Sequence, residues 1–152
     1  HDAVIDVKLA ALGNPNIPTR VIHRMAAGTG KRVRETIAGN ISTPKKILMK
    51  SAIDRDTNVA YNVACNPNVP REALTILAER RNIGILVAVV RNKNTPEEAL
   101  AKLARNNNRN LRLLIAEHEN TSRETLEFLL LKAVKEADQK LAETVRLALA
   151  KQ

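Results

Sequence analysis

Aromatic rings are almost missing from this sequence: Tyr61 and Phe128, with no Trp, among 152 residues. The interior must therefore be aliphatic, built from Leu, Ile, Val and Ala, which suits thin layers of small helices with little space for rings. Base stacking on side chains is the common way to read single-stranded nucleic acid, and this composition argues against it. Cysteine occurs once, at Cys65, so an internal disulfide is excluded and a reducing, cytoplasmic setting is expected. Its default role is that of a small buried filler. The longest uninterrupted apolar run, Ile83 to Val90, is far too short to span a bilayer, so no membrane partner is expected. Residues 3–12 are apolar but broken by Asp6 and Lys8, which excludes a signal peptide. The chain opens on His1 rather than Met, the start expected of a fragment or of a cloning remnant. His1, His23 and His118 have no second His or Cys at ligand spacing, so neither a metal site nor another cofactor is expected.

What is present is a length that suits one domain, a 44% apolar share and an excess of 25 Lys and Arg over 16 Asp and Glu, a formal charge of +9. That excess favours polyanion contact or solubility and is silent about fold.

The prolines carry the organisation. Pro18, Pro44, Pro70 and Pro96 stand 26 residues apart, and Ser122 holds the next place. Asn recurs at 14, 40, 66 and 92, and Asn or Ser at 16, 42, 68, 94 and 120. Ile22, Leu48, Leu74, Leu100 and Leu126 form one apolar column, and Ala26, Ala52, Ala78 and Ala104 another. Val33, Val59, Ile85 and Leu111 form a third, followed by Ile37, Val63, Val89 and Ile115. A repeat with this many agreeing columns is the mark of a stacked array.

Each unit reads as two short helices. Proline fits a first helical position. Thr95 with Glu98, and Thr121 with Glu124, have the spacing of a capping box, and Asn16 and Asn68 are the expected caps where Ile17 and Val69 precede proline. A polar gap and a second helix follow, ending at the Asn column, where Asn can adopt a left-handed conformation and bond free backbone groups. Such a pair cannot bury its apolar face alone, but stacked pairs can. The expectation is an all-α, right-handed α-solenoid of about five two-helix, 26-residue repeats. It forms a single domain over 1–152, with a partial N-terminal unit at 1–13, repeats at 14–121 and a capping unit at 122–152. Apolar spacing from 126 to 148, without Gly, Pro or Asn, predicts that this cap is one long helix, kinked near Asp138.

The units NPNVPREALTILA (66–78) and NKNTPEEALAKLA (92–104) resemble those of the leucine-rich repeat variant family, with its pattern Asn-Pro-x-Thr-Pro-x-x-x-Leu-x-x-Leu-Ala. The resemblance covers roughly residues 11–130. It implies a right-handed superhelix, often of alternating α and 3₁₀ helices. The 26-residue unit is a little longer than is usual in that family and leaves room for two α-helices, as in HEAT-type arrays. An iron–sulfur cluster known in the family needs several thiolates, and the single Cys65 cannot supply them.

The stretch Gly28-Thr29-Gly30-Lys31 looks like the end of a phosphate-binding loop. The full motif requires Gly where Met25 stands and Ser or Thr where Arg32 stands, so the stretch reads as a helix–helix turn. His23 and His118 read as surface residues. Basic residues cluster in the turns between paired helices. Lys31, Arg32, Arg55, Arg80, Arg81, Arg105 and Arg109, extended by Arg34 and Arg112, are the candidate polyanion- or partner-binding set. No residue set has catalytic spacing. The expected function is that of a non-catalytic scaffold docking another macromolecule, with a protein as first choice. Non-specific nucleic-acid binding through the basic edge is second, and a HEAT-like DNA-repair enzyme a distant third.

Overall fold

A computed structural model describes residues 2–26 and 30–152, which include Gly30 and Lys31 of the glycine-rich stretch but not Gly28 and Thr29. The described residues form eleven α-helices and no strand: α1 (Asp2–Gly13), α2 (Thr19–Ala26), α3 (Lys31–Gly39), α4 (Lys45–Ala52), α5 (Thr57–Cys65), α6 (Arg71–Leu77), α7 (Ile83–Arg91), α8 (Glu97–Leu103), α9 (Arg109–Glu117), α10 (Arg123–Lys135) and α11 (Gln139–Leu149). None is long and apolar enough to cross a membrane. Both helices of each sequence unit are α-helical, as the 26-residue length allows. Each odd-numbered helix packs on the odd helix before it, from α1 against α3 to α9 against α11, while α4, α6 and α8 pack in a second row. Helices of seven to nine residues are marginal in isolation. Here they are held because Leu48, Leu74, Leu100 and Leu126, and Val59, Val63, Val89, Leu111 and Ile115, are all buried between neighbours.

The proline column sits one residue outside the helices. Pro44, Pro70 and Pro96 are extended N-caps without side-chain capping bonds, and their carbonyls accept the first helical N–H groups. The capping boxes expected at Thr95 and Thr121 do not form. With proline or serine occupying the cap, these threonines turn back instead. Thr43, Thr95 and Thr121 are buried, and each donates its hydroxyl to the carbonyl six residues earlier, Ile37, Val89 and Ile115. Asn68 is not a cap either, since its amide donates to Ile41 O of the previous unit at 2.6 Å.

The Asn column is the structural hinge of each unit, although not through a left-handed conformation. Asn40, Asn66 and Asn92 have φ between −81° and −71° and ψ between 122° and 128°, an extended backbone. The side chain does the work. Asn66 Nδ2 donates to Ala38 O and Asn40 O, both at 2.9 Å, and Asn92 Nδ2 donates to Ala64 O at 2.8 Å and Asn66 O at 3.0 Å. Asn40 reaches Leu12 O and Asn14 O in the same way. In each case Oδ1 accepts the N–H two residues ahead. His118 reproduces this chemistry with a ring. Its Nδ1 accepts from Asn120 N and its Nε2 lies 3.0 Å from Asn92 O, which requires the neutral tautomer protonated at Nε2. His118 is therefore a bonded joint, not an incidental surface residue.

The C-terminal cap is two helices, not one. The break falls at Glu136–Asp138, where Ala137 has φ 54°. Ala137 N bonds Val134 O and Asp138 N bonds Ala133 O at 2.8 Å, the paired bonds of a Schellman turn. The Asp138 side chain then caps α11 by accepting from Leu141 N. The break falls where the sequence places a kink, near Asp138, but with no Gly or Asn to mark a stop the spacing does not show that the helix ends there.

Asn66→Ala removes the side-chain donor of Ala38 O and one of the two donors of Asn40 O, which keeps Thr43 N–H, and should cost about 1–3 kcal/mol. His118→Asn restores the donor and acceptor set of the column and should not lower stability. Urea titration checks both, and nitrogen-15 shifts of the neutral His118 ring should report the Nε2-protonated tautomer. Ala137→Gly relieves a left-handed alanine and should raise stability by about 1 kcal/mol, read as an upward shift of the urea midpoint.

Candidate functional site

The turns that follow the even helices carry the predicted basic residues. Each second helix starts at a common place. Asp56, Asn82 and Asn108 cap α5, α7 and α9 by accepting from Val59 N, Ile85 N and Leu111 N. Gly30 holds the equivalent place before α3, with φ −66° and no side-chain bond. It is a helix start with extended backbone, as a helix–helix turn requires. Asp138 continues the series, with one added helical turn. Helix α11 starts at 139 and α9 at 109, a spacing of 139 − 109 = 30, four more than the repeat. Leu141 and Val145 are fully buried, as are Leu111 and Ile115 thirty residues earlier.

With that offset in place, four of the nine predicted basic residues pair off in a recurring pattern. Lys31 Nζ lies 3.0 Å from the α5 cap Asp56, and Arg34 Nε lies 2.8 Å from Asp54. Arg109 grips the α11 cap Asp138 at 2.6 and 2.8 Å, and Arg112 Nη2 meets Glu136 at 2.6 Å. In both places a basic pair three residues apart at the start of one helix clamps an acidic pair two residues apart ahead of the next odd helix. Arg112 is only 4% exposed and also donates to Asn106 O, while its Nε has no partner among the described residues. Leaving such a group bare costs about 1–3 kcal/mol, which the ion pair and the carbonyl bond offset. Arg80 also turns inward. Its Nη2 donates to Ala52 O at 2.9 Å and Asp54 O at 2.7 Å, repeating the 28- and 26-residue reach of the Asn column.

Of the remaining predicted residues, Arg32 is exposed and lies 3.6 Å from Asp6, a pair worth little in water. Arg55, Arg81 and Arg105 are exposed and make no side-chain hydrogen bond or ion pair among the described residues. Thus five of the nine are committed to bonds within the chain. Cys65, expected as buried filler, is exposed. Among the described residues no group of three or more His, Cys, Asp or Glu side chains is placed to hold a metal ion.

An open cleft of about 650 Å³ is bordered by α2, α3, α4 and the turn after α4. Its apolar part comes from Ala26, Ile37, Ile47 and Ile53, the last 64% exposed. Its polar rim holds His23, Lys46, Lys50 and Arg55, beside the Arg34–Asp54 pair. Lys46 and Lys50 lie one helical turn apart on α4 and are exposed. Both belong to the basic stretch of residues 17–50, but they sit on the first helix, outside the turns from which the candidate set was drawn. Their i, i+4 spacing was the available signal.

The clamp chemistry makes stability pH-dependent. The Lys31 hydrogen bond holds the Asp56 carboxyl below the usual carboxylate range, helped by the N–H groups of Asn58 and Val59. Arg109 does the same for Asp138, with Leu141 N–H second. At Asp54 burial pushes upward, but the hydrogen bonds from Arg34 and Asp56 N–H, with the Arg34 charge, outweigh it and the net shift is downward. Carboxyls lowered in the folded state stabilise it above their unfolded value near 3.9, and that contribution is lost as pH falls toward the folded values. Denaturation midpoints should be flat above about pH 5 and fall below about pH 4. Asp138→Asn keeps the cap acceptor and should give a shallower acid limb. No family model, curated protein or solved structure matches the chain, so its function rests on this geometry.

Proposed function

We propose that the two rows of helices form a right-handed α-solenoid of about five units, of the leucine-rich repeat variant kind, and that it works as a non-catalytic scaffold docking another protein. The repeated 26- and 28-residue bonds of Asn40, Asn66, Asn92 and Arg80 support the translational arrangement. The cleft beside α4 carries the docking reading. It joins an exposed isoleucine and an aliphatic wall to three cations, Lys46, Lys50 and Arg55, that no acid within the described residues neutralises. An acidic amphipathic segment supplies the complementary chemistry, its apolar side meeting Ile47 and Ile53 and its carboxylates meeting the rim.

The exposed Arg55, Arg81 and Arg105 favour a second reading, phosphate-backbone contact without base readout. Five basic residues already committed inside the chain leave that edge weaker than the sequence count suggests.

The readings separate in one comparison. Nuclease-treated extract is passed over the immobilised chain and over its Lys46→Glu/Lys50→Glu variant. The expected result is a protein retained by the parent at moderate salt and lost from the variant. Equal retention by both would remove the cleft from the docking reading. Binding of random duplex DNA with a log–log salt slope of several units, abolished by Arg81→Glu/Arg105→Glu, would establish the second reading instead.

A further inference from the structure

The cleft beside α4 calls for an apolar stripe edged by carboxylates, and the chain carries one on its own surface. Helix α10 buries Thr125, Leu126, Leu129 and Ala133. Its outward side is apolar as well: Phe128, Leu131 and Val134 are 40%, 72% and 60% exposed. Steps of three residues keep them on one side of the helix. Glu124 and Glu127 stand on that side nearer the start of α10 and are exposed. Glu124 makes no ion pair or side-chain hydrogen bond among the described residues, and Glu127 meets only the exposed Arg123, at 3.0 Å, a pair worth little in water. The basic residues Lys132 and Lys135 sit in the last turn, away from the two acids. An exposed apolar run of this kind marks an interaction surface.

The stripe and the cleft occupy the same places of the repeat. Lys46, Lys50 and Ile53 precede Glu124, Phe128 and Leu131 by three repeats of 26 (124 − 46 = 128 − 50 = 131 − 53 = 78). Leu48 and Leu126, also 78 apart, are both buried, so α4 and α10 turn the same positions outward. At one helix these positions hold cations beside apolar surface, and at the other carboxylates beside apolar surface. Within a single chain the two do not meet, because α6 packs on α4 and α8 on α6.

We infer that the protein seated in the α4 cleft is a second copy of this chain, presenting α10. The inference rests on the docking reading of that cleft and names its partner. Phe128 and Leu131 cover Ile47 and Ile53, while Glu124 and Glu127 meet Lys46, Lys50 and Arg55. Opposite charges at such a contact set its register as well as its attraction. Each copy carries both halves, so two copies satisfy one another reciprocally in a closed pair.

Sedimentation equilibrium between about 1 μM and 1 mM should show the parent passing from monomer to dimer. Lys46→Glu/Lys50→Glu sets carboxylates against carboxylates, and Glu124→Lys/Glu127→Lys sets ammonium groups against ammonium groups. Each variant alone should dimerise at least about tenfold more weakly than the parent. Mixed in equal amounts, the two should pair as the parent does, because each supplies the charge that the other lacks. Both keep a positive formal charge, 9 − 4 = +5 and 9 + 4 = +13, so overall attraction does not bring them together. Leu131→Ser, at an exposed site, should weaken the pair and leave the helical ellipticity unchanged. A parent that stays monomeric throughout overturns the inference, as does a mixture that pairs no better than its separate components. A dimer indifferent to both charge reversals overturns it equally, since the contact then lies elsewhere. A monomeric parent that still recovers a protein from extract, lost with Lys46→Glu/Lys50→Glu, keeps the docking reading and removes the second copy as its partner.

Discussion

A carboxamide that spans two main-chain carbonyls holds this molecule in register. Asn66 donates to one carbonyl at the end of the preceding odd helix and to one in its own column, and keeps its oxygen for the N–H two residues ahead. Asn is well suited to this place because it offers two donors and an acceptor on a short stem. The helices it links are too short to persist alone, and their last carbonyls would otherwise be buried without partners. Aliphatic burial supplies the attraction between layers but permits sliding. The amide fixes the offset, since a displaced unit would strand several polar groups at once.

His118 shows how closely the chemistry, more than the residue type, is specified. An imidazole protonated at Nε2 has one donor and one acceptor at nearly the right separation, and it makes the same two kinds of contact. It has one donor fewer, and its column is the last before the array changes into the longer α10 and α11. The same economy governs the turns. Arg80 spans 28 and 26 residues with a guanidinium as Asn does with an amide, and the two clamps tie the cap of one odd helix to the first turn of the odd helix before it.

These internal uses of charge bear on function. A chain with a formal +9 invites an electrostatic reading, yet Arg112 is buried and Lys31, Arg34 and Arg109 spend their charge on Asp56, Asp54 and Asp138. The excess that remains is distributed differently from the basic count. Part of it gathers beside apolar surface at Lys46, Lys50 and Arg55.

The sequence by itself determined the helical class, the period, the columns of buried Leu, Val and Ile, and the places where units join, because each follows from a side chain's local preference repeated at a fixed spacing. It could also show that the Asn columns would bond backbone groups, since few other roles recur every 26 residues. Only the tertiary structure decided which partner each polar group meets. Thr95 caps nothing and turns to Val89 O because proline holds the cap. Asn92 stays extended because its amide, not its backbone, makes the joint. The last unit breaks at Ala137 because Asp138 has to reach Arg109 and Leu141 N together. In each case the deciding group lies on a neighbouring turn or a neighbouring layer, and hydrogen-bond satisfaction at that distance leaves no periodic trace in a single sequence.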